Sequence, residues 1–148
     1  VRNVMIMGGS RIAVRTTQYV PDYMQVKIIE NDINRCNRLT EAVDEKVMII
    51  NGDGRDMDLL MEEGLRNTEA FVALTDNSET NILACLAAKR MGVTKTVAEV
   101  ENIDKLAEKA VGYGKNGSIW SRYQKIHNLN KKKYVIDESF KVDEAKLS

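Results

Sequence analysis

The sequence is short of most residues that carry distinctive chemistry. In 148 residues it has one proline, one histidine, one tryptophan and two cysteines. One proline beside 43% hydrophobic residues excludes a disordered or low-complexity chain. With His127 as the sole histidine, no Ser-His-Asp, Cys-His or H-E-x-x-H arrangement is visible. Nor is there the proton donor, acceptor and substrate domain that a dehydrogenase needs. Cys36 and Cys85 stand in unlike contexts without motif spacing, which fits semi-buried thiols in a reducing cytosol rather than a disulfide framework. An excess of either charge is also missing: 22 basic residues face 22 acidic ones, which argues against a nucleic-acid binder. No apolar run approaches the ~20 residues of a transmembrane helix. No basic–apolar–small leader opens the chain, and its first residue, Val1, suits an internal cut in a longer polypeptide.

The zero net charge is a sum of unlike parts. Residues 1–111 hold 14 basic and 18 acidic side chains, a net of −4, whereas residues 112–148 hold 8 and 4, a net of +4. The second stretch also has five of the eight aromatics, Tyr113, Trp120, Tyr123, Tyr134 and Phe140. Two segments are therefore expected, one full domain over 1–111 and an atypical basic, aromatic tail over 112–148 that serves dimerisation or is divergent.

Within the first segment, short β-branched runs begin at Val4, Val26, Val47, Ala70 and Thr96. Near-continuous apolar runs of this length suit strands buried on both faces. Helix-length stretches separate them. One covers 11–19. Asp32 can cap another over about 33–43, and Asp56 a short one ending at Gly64. Asp76-Asn77-Ser78-Glu79 reads as a capping box for a helix over about 77–91 that Gly92 closes. That helix is apolar nearly all round and is expected to lie deep against the sheet. Asp104 can cap one more over about 105–111. Such alternation predicts an α/β fold, a five-strand doubly wound parallel sheet in three layers. In the tail, a glycine-rich hinge leads to a helix over about 121–128, the basic run Lys131-Lys132-Lys133 and a short strand at Tyr134-Val135-Ile136.

In an open parallel sheet, ligands bind beyond the carboxyl ends of the strands. After the first run comes Gly8-Gly9-Ser10-Arg11-Ile12-Ala13, a variant of the dinucleotide fingerprint G-x-G-x-x-G/A. Gly8 takes the tight-turn position and Ala13 the small packing position. Ser10 replaces the second glycine, where either its Cβ crowds a pyrophosphate or its hydroxyl donates to a phosphate oxygen. Arg11 adds a cation at a helix N-terminus. Glu30, 22 residues beyond Gly8, suits a ribose contact and repels a 2′-phosphate, which disfavours NADP. With Asp32 acting as cap, Glu30 is left free for that role. After the third run, Asp53 either accepts from a base amine or caps the next helix, and Gly54 lets backbone pass close to a planar base. The acids Asp53, Asp56, Asp58, Glu62 and Glu63 lack calcium-loop spacing, so no metal site is expected. Thr75 and Asn77 can face a ligand, and Asp76 is a ligand neighbour or a cap.

These strand ends resemble the RCK or KTN nucleotide-binding domain of potassium channels and transporters, and above all TrkA-like uptake subunits. The likeness rests on Val4-Met5-Ile6-Met7-Gly8-Gly9 with Arg11-Ile12, on Lys27-Ile28-Ile29-Glu30 with Arg35-Cys36, and on Ile50-Asn51-Gly52-Asp53-Gly54. Its most specific part runs from Ala70 through Thr75-Asp76-Asn77 and Asn81-Ile82-Leu83-Ala84-Cys85 to Gly92. The resemblance implies a Rossmann-like domain that binds NAD(H), ATP or ADP without turning it over. It implies a cytoplasmic regulatory subunit at the inner membrane face, assembled as a homodimer or ring, that gates a membrane-embedded potassium transporter subunit. By the same likeness Gly8, Gly9, Ser10, Arg11 and Ile12 would form the phosphate loop, Glu30 would hold ribose, Asp53 and Gly54 would lie by adenine, and Thr75 and Asp76 would border the pocket. The family commonly has glycine at Ser10 and Ala13, and its pattern does not continue past about residue 111. Members often contain two such halves, and the altered glycine motif suits a second half. A nucleotide-free scaffold half of a regulatory ring is the alternative, and an oxidoreductase fragment a more distant one.

Overall fold

The β-branched runs form strands and the capped stretches between them form helices in the computed structural model, which describes residues 1–101. The order is β1 (Asn3–Met7), α1 (Arg11–Tyr19), β2 (Gln25–Glu30), α2 (Ile33–Ala42), β3 (Val47–Asn51), α3 (Met57–Glu62), a 3-10 turn (Leu65–Asn67), β4 (Ala70–Ala73), α4 (Ser78–Arg90) and β5 (Lys95–Ala98). The expected helix over 105–111, the boundary near 111, the whole tail and His127 lie outside the described residues.

All four pairings are parallel, and the strands lie in the order β3-β2-β1-β4-β5. Period-two alternation sends neighbouring residues to opposite faces. Met5, Met7, Phe71 and Ala73 pack on one side with Leu60, Leu65 and the α4 residues Ala84, Cys85 and Ala88. Ile6, Val26, Ile28 and Leu74 pack on the other with Ala13 of α1 and Leu39 of α2. Helices thus cover both faces, and the three-layer Rossmann-like architecture expected from the alternation is present. Fully burying a side chain such as Phe71 or Leu60 stabilises by about 1.5–3 kcal/mol.

Two local expectations need correction. The cap of α4 is Asn77, whose side chain accepts from Thr80 N–H at 2.8 Å, so the expected capping box from Asp76 does not form. Asp76 stays in the bend that follows β4. Nor is α4 buried all round: Leu83 is 65% exposed, because only the face carrying Asn81, Ala84, Cys85 and Ala88 meets the sheet. Asp32 and Asp56 cap α2 and α3 as expected, each accepting from two backbone N–H groups.

Register aligns the carboxyl ends. Met7 pairs with Ile29 and Ala73, Glu30 with Asn51, and Ala73 with Ala98. The loops that follow all five strands therefore emerge along one edge. Strand order reverses between β1 and β4, so α1 and α4 leave on opposite faces and a crevice opens between them.

Candidate functional site

A cleft of about 570 Å³ occupies that crevice, within the roughly 300–1,000 Å³ usual for small-molecule sites. Nine of the ten expected site residues line it: Gly8, Ser10, Arg11, Ile12, Glu30, Asp53, Gly54, Thr75 and Asp76. The tenth, Gly9, sits behind the lining and donates its N–H to Glu30 Oε2 at 2.7 Å.

The β1–α1 turn needs glycine first. Gly8 has φ +100°, and a Cβ there would stand 2.9 Å from the Leu74 carbonyl oxygen and 3.0 Å from Thr75 N. Ser10 has φ −74°, an ordinary value, so its side chain costs no backbone strain. It caps α1 by accepting from Ala13 N–H at 3.3 Å, and its own hydroxyl proton stays available to the cleft. Ala13 is fully buried under the turn. Arg11, exposed at the first position of α1, has no carboxylate partner among the described residues. This end of the cleft offers a helix N-terminus, a hydroxyl and a cation, which together suit an anion.

Glu30 is not left free as the sequence suggested. Its side chain is 2% exposed. Oε2 accepts from Gly9 N–H, and Oε1 accepts from Asp32 N–H at 2.9 Å. Arg35 Nη1 lies 3.5 Å from Oε2. A carboxylate has about four lone-pair sites, so capacity remains toward the cleft. The same carboxylate therefore ties the glycine turn to the β2–α2 junction and faces the cavity. Asn51 extends the tie to β3 through Nδ2, which donates to the carbonyls of Glu30 at 3.0 Å and Asn31 at 3.1 Å.

Asp53 is neither helix cap nor unengaged. Arg55 grips it with Nε at 3.0 Å and Nη2 at 2.8 Å, and donates its backbone N–H at 2.9 Å. The Arg55 side chain, followed by its backbone N–H, holds the Asp53 carboxyl below the usual range. The pair is exposed, at 69% for Arg55 and 44% for Asp53. Gly54 packs against Met7, where a Cβ would overlap the methionine side chain. Asp76 is exposed on the opposite rim.

Sequence reasoning passed over Arg35, Arg55 and Thr80 in the lining. Arg35 is the third residue of α2 after the Asp32 cap, so its place beside the strand end was the available signal. It also left Asn81 without a role, although Asn81 is fully buried. Cys36 is buried and donates its thiol to the Glu30 carbonyl at 3.3 Å. Burial raises its pKa and pushes the Cys85 thiol up to about 11, so neither thiol is poised for nucleophilic chemistry. No group of three or more His, Cys, Asp or Glu able to hold a metal occurs among the described residues. No helix there is long and apolar enough to cross a membrane.

The family model described as the TrkA-N domain matches residues 4–112. A Trk system potassium uptake protein TrkA from Halomonas elongata is 37% identical over 101 residues, 68% of this chain and 22% of that protein. Its counterpart from Haemophilus influenzae is 35% identical over 102 residues, 69% and 22% of the two chains. A TrkA homolog from Methanothermobacter thermautotrophicus is 35% identical over 102 residues, 68% and 46%. The chain thus spans less than half the length of these relatives. Among solved structures, a short-chain dehydrogenase/reductase from Veillonella parvula in complex with NADP aligns with TM-score 0.48 and 17% identity, over 64% of this chain and 45% of that one.

Proposed function

The chain belongs to the TrkA-N domain family, and from that premise we propose that it is a non-enzymatic nucleotide sensor in a Trk-type potassium-uptake system. The ligand is NAD(H), ATP or ADP. Its phosphates lie against Gly8, Gly9, Ser10, Arg11 and Ile12, its ribose near Glu30, and its base near Asp53 and Gly54, with Thr75 and Asp76 along the border. The Glu30 carboxylate disfavours a 2′-phosphate and hence NADP. Residues 1–111 form the binding unit and 112–148 a separate segment. The protein acts in the cytoplasm at the inner membrane face, as a homodimer or ring docked to a membrane-embedded transporter subunit. A ligand gates such an assembly only by binding its two geometries with different affinity.

One observation carries this reading: the N-terminus of α1, with Arg11 lacking a carboxylate partner among the described residues, faces the cleft one strand away from the buried Glu30 carboxylate. Isothermal titration of the chain with NADH, ATP and ADP is expected to give micromolar binding. Arg11→Ala, at an exposed position, is expected to weaken it about tenfold, as for loss of one charge-assisted contact. Absence of heat with all three ligands at high protein concentration would sink the sensor. The chain would then be a nucleotide-free scaffold half, a reading favoured by one finding, that Glu30 already accepts two backbone N–H groups. A nicotinamide-dependent absorbance change with any substrate would instead point to an oxidoreductase fragment.

A further inference from the structure

Among the described residues, Asn81 is the one fully buried polar residue near the cleft that the nucleotide reading leaves unused. It sits in the first turn of α4, and all its side-chain polar groups are engaged. Oδ1 accepts from Thr75 N–H at 3.1 Å and from the Thr75 hydroxyl at 2.6 Å. Nδ2 donates to the carbonyls of Thr75 and Glu99, each at 2.9 Å. Because one side meets an N–H donor and the other two carbonyls, the amide has only one satisfied orientation. Asn81 thereby staples the loop after β4 to the loop after β5. Both loops line the cleft.

The staple fixes the chemistry that Thr75 presents. A hydroxyl has one proton and two lone pairs. The proton goes to Asn81 at 2.6 Å, shorter than the 3.4 Å alternative at the Asn77 carbonyl. One lone pair accepts from Asn77 N–H at 3.3 Å. What remains toward the cleft is a single acceptor site. We propose that Asn81 is a positioning residue that holds Thr75 as a hydrogen-bond acceptor, so that the ligand group at this rim is a donor, a hydroxyl or an amino group, and never a phosphate oxygen. This rests on the nucleotide reading and adds to it a polarity: anion at the α1 end, donor at the α4 end.

The test uses the full chain with ADP, ATP and NADH. Thr75→Val removes the acceptor while leaving the backbone N–H of residue 75 bonded to Asn81, and urea unfolding measured alongside separates a lost contact from a lost fold. It is expected to weaken binding about 3- to 10-fold, the worth of one hydrogen bond, and Thr75→Ser is expected to restore it. Asn81→Ala is expected to lose a similar factor and to speed hydrogen exchange at the Thr75 amide in the ligand-free protein. Adding Thr75→Val to Asn81→Ala should then weaken binding no further. Wild-type affinity in Thr75→Val overturns the inference while the sensor reading stands. So do unchanged exchange in Asn81→Ala, multiplying losses in the double variant, or a phosphate oxygen against Thr75 Oγ1 in a structure of the complex. Absence of binding by the unaltered chain overturns the sensor reading and this inference together.

Discussion

Glu30 closes β2 and Asp53 lies in the loop just past β3, both line the same cleft, yet they are held in opposite ways. The Glu30 side chain is 2% exposed and accepts from the backbone of Gly9 and Asp32. Asp53 is 44% exposed and is gripped mainly by one side chain, Arg55, itself 69% exposed. A backbone donor has no rotamer to give up, whereas an exposed arginine exchanges readily with water. The difference teaches that one side of the cleft is built into the fold and the other is adjustable. A ligand in the cleft would meet a preformed surface at β1 and β2. At β3 it would compete with an internal ion pair.

The largest effect should come from the turn that Glu30 secures. Gly8→Ala forces a non-glycine residue to φ +100° and into the Leu74 carbonyl. It is expected to cost on the order of 3 kcal/mol in urea unfolding. Stability within about 0.5 kcal/mol of wild type would show that the turn is not rigid.

Glu30→Gln comes next. One buried N–H then faces an amide NH₂ instead of a carboxylate oxygen, and unfolding is expected to lose about 2 kcal/mol. If Glu30→Gln and Asp53→Asn cost the same, the contrast between the two acids fails.

Asp53→Asn and Arg55→Ala should each cost under about 1 kcal/mol, as exposed pairs do. Their signature is in pH instead. The Asp53 carboxyl is held low by Arg55. A folded-state pKa below the unfolded one contributes stability that is present above the unfolded value, about 3.9, and is lost as pH falls through the folded value. Carboxyl NMR titration should show the Asp53 midpoint rising in Arg55→Ala. An unmoved midpoint would mean that Arg55 does not hold it.

The smallest effect is expected at Ser10. With φ −74° and a long 3.3 Å cap contact, Ser10→Gly should change stability by only a few tenths of a kcal/mol. Any change in nucleotide affinity then reports on the hydroxyl and not on the backbone.

Much of the fold was legible because its signals are local. Five β-branched runs, the caps Asp32 and Asp56 and the glycine that must turn at position 8 each depend on a few adjacent residues. The cap of α4 was misread by one residue, since Asp76 and Asn77 both suit a cap and only the path of the loop between β4 and α4 chooses between them. The exposure of Leu83 was misjudged because composition does not say which face of α4 meets the sheet. Nine of ten expected site residues reach the cleft because parallel pairing brings every strand end to one edge. Arg35, Arg55 and Asn81 were given no role at the site because their partners are set by side-chain direction, which spacing does not encode.

The sequence by itself determined the parallel α/β class, the positions of its elements and the edge at which a ligand would bind, since hydrophobic period and turn chemistry are written residue by residue. The split of the zero net charge into −4 over 1–111 and +4 over 112–148 is likewise read from the sequence alone. Only the tertiary structure decided what the polar residues do at that edge. It committed Glu30 to backbone donors, Asp53 to Arg55 and the Thr75 proton to Asn81. Those commitments follow from which groups arrive within 3 Å of one another once the helices pack, and hydrogen bonding is too short-ranged to be read before they do.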